Sequence, residues 1–201
     1  SLLISLPSAI GLFILAEPII HILFERGAFV KEDTFYTAKV LSYFALGLPA
    51  YIIIKVLVSC FFAREDTKTP LYISIVSVIS NVVLSLLLIG SMREMGIAVA
   101  TAISAWVNAL LLYVFLSIRN HMKFDDLLVR NSIKILLCSS LFFVGIYLLN
   151  GLFFTNISGN SVLLNSTLLL LMIFLAIIIY FGLVIVLKVL SVNQLREYLK
   201  K

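Results

Sequence analysis

The sequence predicts an all-α integral membrane protein with six transmembrane helices, and three observations predict it. Of the 201 residues, 62% are hydrophobic and only 12% are charged, against about 45–50% and about 25% in ordinary soluble domains. That hydrophobic share is about 125 residues, enough for six crossings at about 20 residues each. The apolar residues also fall into six long runs joined by short polar connections, with no gap wide enough for a soluble domain. This composition excludes a soluble enzyme, a nucleic-acid-binding module and a disordered tail. The net charge of +5 therefore reads as a signal of orientation in the membrane, since lysine and arginine collect in cytoplasmic loops.

The first run, Leu2–Phe24, begins at an apolar edge beside Ser1 with no basic leader, so the chain is expected to be the carboxy-terminal part of something longer. The second, Thr34–Phe62, is expected to start at a cap supplied by Asp33 or Thr34. Gly47-Leu48-Pro49 inside it removes one helical hydrogen bond and should bend it. The third, Leu71–Gly90, follows Thr69 as cap with Pro70 at the first helical position. The fourth is Gly96–Ile118. The fifth, Leu127–Leu149, would be capped by Asp126, and the sixth is Val162–Leu190. Asn193–Lys201 suits a short interfacial helix.

Alternating helix direction places Arg64, Lys68, Arg119, Lys123, Arg130, Arg196, Lys200 and Lys201 on one side, and only Arg26, Lys31 and Arg93 on the other. The richer side is assigned to the cytoplasm, together with both ends of the chain. Cys60 and Cys138 lie in apolar runs without ligand spacing and read as packing residues.

Polar residues within the spans are where a mechanism would leave marks. Lys55 lies nine residues before Arg64, so its Cα sits about 13 Å inside the boundary. A lysine at that depth costs ~2.5–3.5 kcal/mol unless it meets water or a partner. It is either a structural pair or a cavity charge that meets an anionic substrate. Glu17, followed by Pro18 and by His21 at i+4, is either an interfacial group or half of a proton-responsive pair lining an exit path. Ser74, Ser77, Asn81 and Ser85 form one stripe of the third helix, and Thr101, Ser104 and Asn108 repeat the spacing on the fourth among Ala98, Ala102, Ala105 and Ala109. Such a pairing is either a close-packed seam or an oxygen-lined cation site. The last two runs carry few polar groups and read as lipid-facing.

Leu23-Phe24-Glu25-Arg26-Gly27-Ala28-Phe29, Tyr43…Gly47-Leu48-Pro49-Ala50-Tyr51 with Lys55-Val56-Leu57, and Phe62-Ala63-Arg64-Glu65-Asp66-Thr67-Lys68-Thr69-Pro70 occur in that order. With Asn81, Gly96-Ile97-Ala98 and Asn108-Ala109-Leu110-Leu111, they resemble the MurJ (MviN) family of lipid II flippases across roughly the first 120 residues. The last two runs resemble it in length and apolarity alone.

The resemblance implies helices nine to fourteen of fourteen in a MATE-like two-lobe transporter of the multidrug, oligosaccharidyl-lipid and polysaccharide exporter superfamily. Residues 1–118 would be the later part of the second lobe, and 119–201 two additional helices with a short cytoplasmic tail. It implies alternating-access transfer of lipid-linked peptidoglycan precursor between the leaflets of the bacterial inner membrane. Its implied partners are lipid II, membrane lipids and the amino-terminal helices of the same protein, with no nucleic acid. The last two helices would offer a groove for the polyprenyl tail, and Lys55 and Glu17 are candidates for the substrate pathway. It also implies a sodium ion, the one candidate cofactor, held by Asn81, the Ile97 carbonyl and Thr101, although Ser85 stands where an acidic ligand is expected.

Two readings compete. One is export of another lipid-linked oligosaccharide or of drugs. The other is a membrane enzyme using His121, Asp125 and Asp126, a group without the partner cluster that catalysis needs.

Overall fold

The computed structural model describes residues 2–119, 126–154 and 162–187. All regular structure among them is helical: α1 Leu2–Phe24, α2 Lys31–Phe62, α3 Lys68–Met92, α4 Glu94–Ile118, α5 Asp126–Phe154 and α6 Val162–Val186. Each is long and apolar enough to cross a membrane. The chain forms two units, residues 1–123 and 124–201.

Helix α2 starts at Lys31, three residues before the expected Thr34, so neither Asp33 nor Thr34 is its cap. Asp33 lies in its first turn, and its carboxylate accepts the Val30 N–H at 3.0 Å, satisfying one of the donors that a helix start leaves open. Lys39, close to this end, lies over the Phe35 ring at 4.0 Å. Helix α3 likewise begins ahead of Thr69. The residue that serves its start is Asp66, whose Oδ1 accepts the Thr69 N–H at 3.1 Å and whose Oδ2 accepts the Thr69 hydroxyl at 2.7 Å. Pro70 is still within the first turn, where it removes no helical bond. Asp126 opens α5, but its side chain, the tail from residue 188 onward, His121 and Asp125 lie outside the described residues.

Within the first unit, α4 is the shared partner. It packs along both α2 and α3, α1 packs on α2, and α2 and α3 barely touch although they are consecutive. Small residues make this possible. Ala98, Ala100, Ala102, Ala105 and Ala109 of α4 are buried, which lets neighbouring backbones come close. A Cβ on Gly47 of α2 would lie 3.2 Å from the Ala102 Cα. Beside this contact the Trp106 indole N–H donates to the Leu46 carbonyl at 3.0 Å, one residue before Gly47 and three before Pro49. The helix continues through that proline.

Larger side chains close the α2–α3 turn end of the unit, where Leu57, Phe61, Ile73, Leu112 and Leu116 form a buried cluster with Cys60 packed against it. At the opposite end Ala16, Ile20 and Ala38 join α1 to α2.

Only Arg93 separates α3 from α4, and its φ of 50° is unusual for a residue with a side chain. The turn is so tight that a Cβ on Gly96 would stand 2.7 Å from the Leu88 carbonyl oxygen. Helix α4 therefore begins at Glu94, two residues before the sequence expectation, with glycine at the point of closest approach.

The second unit is an antiparallel pair. Cys138, Phe142 and Ile146 of α5 and Met172, Ala176, Tyr180 and Val184 of α6 are buried, one stripe on each helix. Phe142 meets Tyr180 edge-on at 5.2 Å. Their remaining faces, including Leu136, Leu137, Leu170 and Phe174, are exposed.

Candidate functional site

The polar stripes of α3 and α4 face each other. The Ser77 hydroxyl donates to the Ser104 carbonyl at 2.7 Å, and the Asn81 amide nitrogen donates to Ser104 Oγ at 3.0 Å and Thr101 Oγ1 at 3.3 Å. Ser85 donates to Asn81 Oδ1 at 3.2 Å, and Thr101 donates to the Ile97 carbonyl at 2.8 Å. In an apolar medium each bond matters because no water replaces it.

The three groups expected around sodium, Asn81, Ile97 and Thr101, are thus brought together. They supply a hard cation with neutral oxygens alone, because Ser85 stands where a carboxylate is expected. The Asn81 amide nitrogen donates to Thr101 Oγ1, the Thr101 hydroxyl donates to the Ile97 carbonyl, and all three groups are neutral. Among the described residues no three His, Cys, Asp or Glu side chains come together as a metal-binding group, whereas hard cations favour oxygens that include carboxylates.

Because α2 and α3 diverge over α4, they leave a cleft of about 310 Å³. Its polar lining is Tyr51 from α2, Ser74, Ser77 and Asn81 from α3, and Ser104 and Asn108 from α4. The Asn108 Oδ1 is buried without a hydrogen-bond partner. One turn beyond Tyr51, Lys55 is exposed on the same face of α2, and its ammonium has no partner among the described residues. Glu17 is also exposed. The imidazole expected beside it pairs elsewhere: His21 Nδ1 lies 2.7 Å from Glu25 Oε2. Glu25 is fixed there because the same oxygen accepts the Thr34 hydroxyl at 2.7 Å from the first turns of α2. Burial raises the Glu25 carboxyl, but the His21 and Thr34 hydrogen bonds, with the charges of His21 and Lys31, bring it below its ordinary value.

At the α2–α3 turn, Arg119 from the end of α4 pairs with the Asp66 carboxylate and donates to Thr69 Oγ1 at 3.0 Å. Asp66 is pulled down to about 2, first by the Thr69 backbone and hydroxyl hydrogen bonds and then by the Arg119 guanidinium. This clamp ties α2, α3 and α4 at one end. Sequence reasoning missed it, although Asp66 three residues before Thr69 has capping spacing. Nothing in the local sequence could join Arg119 to it, fifty-three residues away.

The family model described as lipid II flippase MurJ matches residues 1–168, so the match continues past the region carrying the loop motifs. A probable lipid II flippase MurJ of Rickettsia prowazekii (strain Madrid E) is 40% identical over 193 residues, covering 96% of this chain and 38% of the relative. The Rhizobium tropici protein of the same name is 36% identical over 201 residues, covering 100% of this chain and 38% of its own length. A solved structure, lipid II flippase MurJ in an inward closed conformation, superposes with a TM-score of 0.74 at 28% identity, covering 90% of this chain and 35% of that one. The chain thus spans about 38% of the length of these curated relatives.

Proposed function

We propose, from the premise that this chain belongs to the MurJ family, that it supplies part of a carrier that moves lipid II from the inner to the outer leaflet by alternating access. The protein is a multi-pass membrane protein. In this reading it lies in the bacterial inner membrane with both ends in the cytoplasm. It works there with the remaining helices of the longer protein, which supply the rest of the cavity wall.

The observation that carries the reading is Lys55. An exposed lysine without a partner among the described residues, deep within a span, is stable only where water or an anion reaches it. A diphosphate crossing the membrane is such an anion. The exposed apolar faces of α5 and α6 suit the polyprenyl chain, which needs no hydrogen bonds. The α3–α4 network acts as a joint that holds the wall in register, and no step is assigned to sodium.

The test is lipid II sidedness in cells depleted of the full-length protein, read by whether an externally added lipid II-cleaving enzyme reaches its substrate. Protection from cleavage supports the reading. Undiminished cleavage in cells without a redundant carrier refutes it.

A further inference from the structure

We infer that the cleft between α2 and α3 is a subsite for a neutral, hydrogen-bonding sugar ring, placed one helical turn from the phosphate that Lys55 meets. The inference rests on the carrier reading above and adds the part of the substrate that this chain recognises.

Three polar groups lead to it. The Tyr51 hydroxyl, the Ser74 hydroxyl and the Asn108 Oδ1 line or border the cleft; Asn108 Oδ1 is buried without a hydrogen-bond partner, and the hydroxyls of exposed Tyr51 and half-buried Ser74 bond to no other described residue. Ser77, Asn81 and Ser104 are different, being bonded to one another across the seam. The first three are therefore free to recognise something, while the second three build the wall. A buried acceptor left unpaired at membrane depth, as Asn108 Oδ1 is, is costly, and two open hydroxyls bordering the same cavity point to a hydrogen-bonding ligand.

The lining carries no charge, which argues against a phosphate or an ammonium inside the cleft itself. Ile54, Val78 and Ala105 complete the walls with apolar surface. A ring with hydroxyl or amide groups at its edge and C–H groups on its faces matches both halves of that lining. At about 310 Å³ the space sits at the lower bound of small-molecule sites, ~300–1,000 Å³, so it takes one ring rather than a whole glycopeptide. Tyr51 and Lys55 are four residues apart on one helix face, a rise of about 6 Å. A neutral seat beside a cation has the pattern of a sugar joined to a phosphate.

The experiment uses the full-length protein in lipid nanodiscs with two probes, lipid II and undecaprenyl diphosphate, which lacks the sugars. The Ser74→Ala, Asn108→Leu double variant is expected to bind lipid II about tenfold more weakly, as befits two lost hydrogen bonds, and to bind undecaprenyl diphosphate as the parent does. Tyr51→Phe removes one hydroxyl without changing the helix surface otherwise, and should lose about threefold for lipid II alone; it stands in if the double variant does not fold. Lys55→Met should weaken both probes.

Unchanged lipid II binding by the variants would mean that water or another helix of the longer protein fills the cleft and would overturn the inference. Equal loss for both probes would also overturn it, since the residues would then act through the fold. A parent protein that binds undecaprenyl diphosphate as tightly as lipid II removes the sugar seat but leaves the carrier reading. A parent that binds neither probe removes the carrier reading itself.

Discussion

Replacing Gly96 with alanine tests whether the α3–α4 turn sets the register of the polar seam. The new Cβ would stand 2.7 Å from the Leu88 carbonyl oxygen and 2.8 Å from its carbon. Both are backbone atoms, so relief requires the two helices to move apart. Overpacking of this kind typically costs ~1–3 kcal/mol, offset by the ~0.5–1 kcal/mol that alanine gains over glycine in a helix. Gly90, six residues earlier in α3, is the matched control, because a Cβ there meets nothing within 4 Å. Gly90→Ala should be neutral or stabilising by up to ~1 kcal/mol, whereas Gly96→Ala should be destabilising by up to roughly 2.5 kcal/mol. The assay is thermal unfolding of both purified full-length variants in one detergent, with transport measured at equal protein amount. A Gly96→Ala protein as stable as Gly90→Ala would refute the claim that this contact fixes the turn.

Asp66→Asn keeps a cap acceptor for Thr69 but loses the charge that faces Arg119, whereas Asp66→Ala loses both, so melting temperatures should fall in the order parent, Asn, Ala. Because the folded carboxyl is lowered from 3.8 to about 2, its contribution is present above about pH 3.8 and disappears as pH falls towards 2; the Asn variant should lack that acid-dependent loss. Sodium at concentrations up to those of the cell exterior should not shift the melting temperature relative to potassium, while Ser85→Asp, which adds a carboxylate next to Asn81, should create a sodium-dependent rise. Leu170 is exposed on α6, and Leu170→Lys should impair lipid II transfer; a normal protein amount in the membrane is required for that loss to support a tail groove, and unimpaired transfer counts against it.

The sequence made the six helices legible because spanning a membrane imposes a length and a composition that few other constraints can mimic. It also exposed the facing stripes of α3 and α4, since serine, threonine and asparagine at helical spacing are conspicuous in apolar surroundings. What it could not supply was partner choice. His21 has carboxylates available at both i−4 and i+4, and only Thr34, arriving from the next helix, fixes Glu25 as the one it meets. In the sequence Asp66 is only part of a loop motif, and its tie to Arg119 spans fifty-three residues. The cleft was hidden for the same reason. Tyr51, Ser74 and Asn108 lie on three helices, and their convergence depends on α4 standing between α2 and α3.

That placement of α4 has a consequence for how the chain is made. Helices α2 and α3 leave the ribosome before α4, and they share almost no surface that could hold them together. The hydrogen-bonding partners of Ser77 and Asn81 are all on α4 apart from Ser85, so the polar stripe enters the bilayer unmet. Synthesis of the stretch from Met92 to Ile118, at about 5–20 residues per second, takes about one to five seconds. For that interval the unfinished hairpin needs the insertion machinery or an earlier helix as a temporary neighbour. Arrest of synthesis just after α3 should therefore leave a nascent chain that remains bound to the insertion site, and release should coincide with emergence of α4.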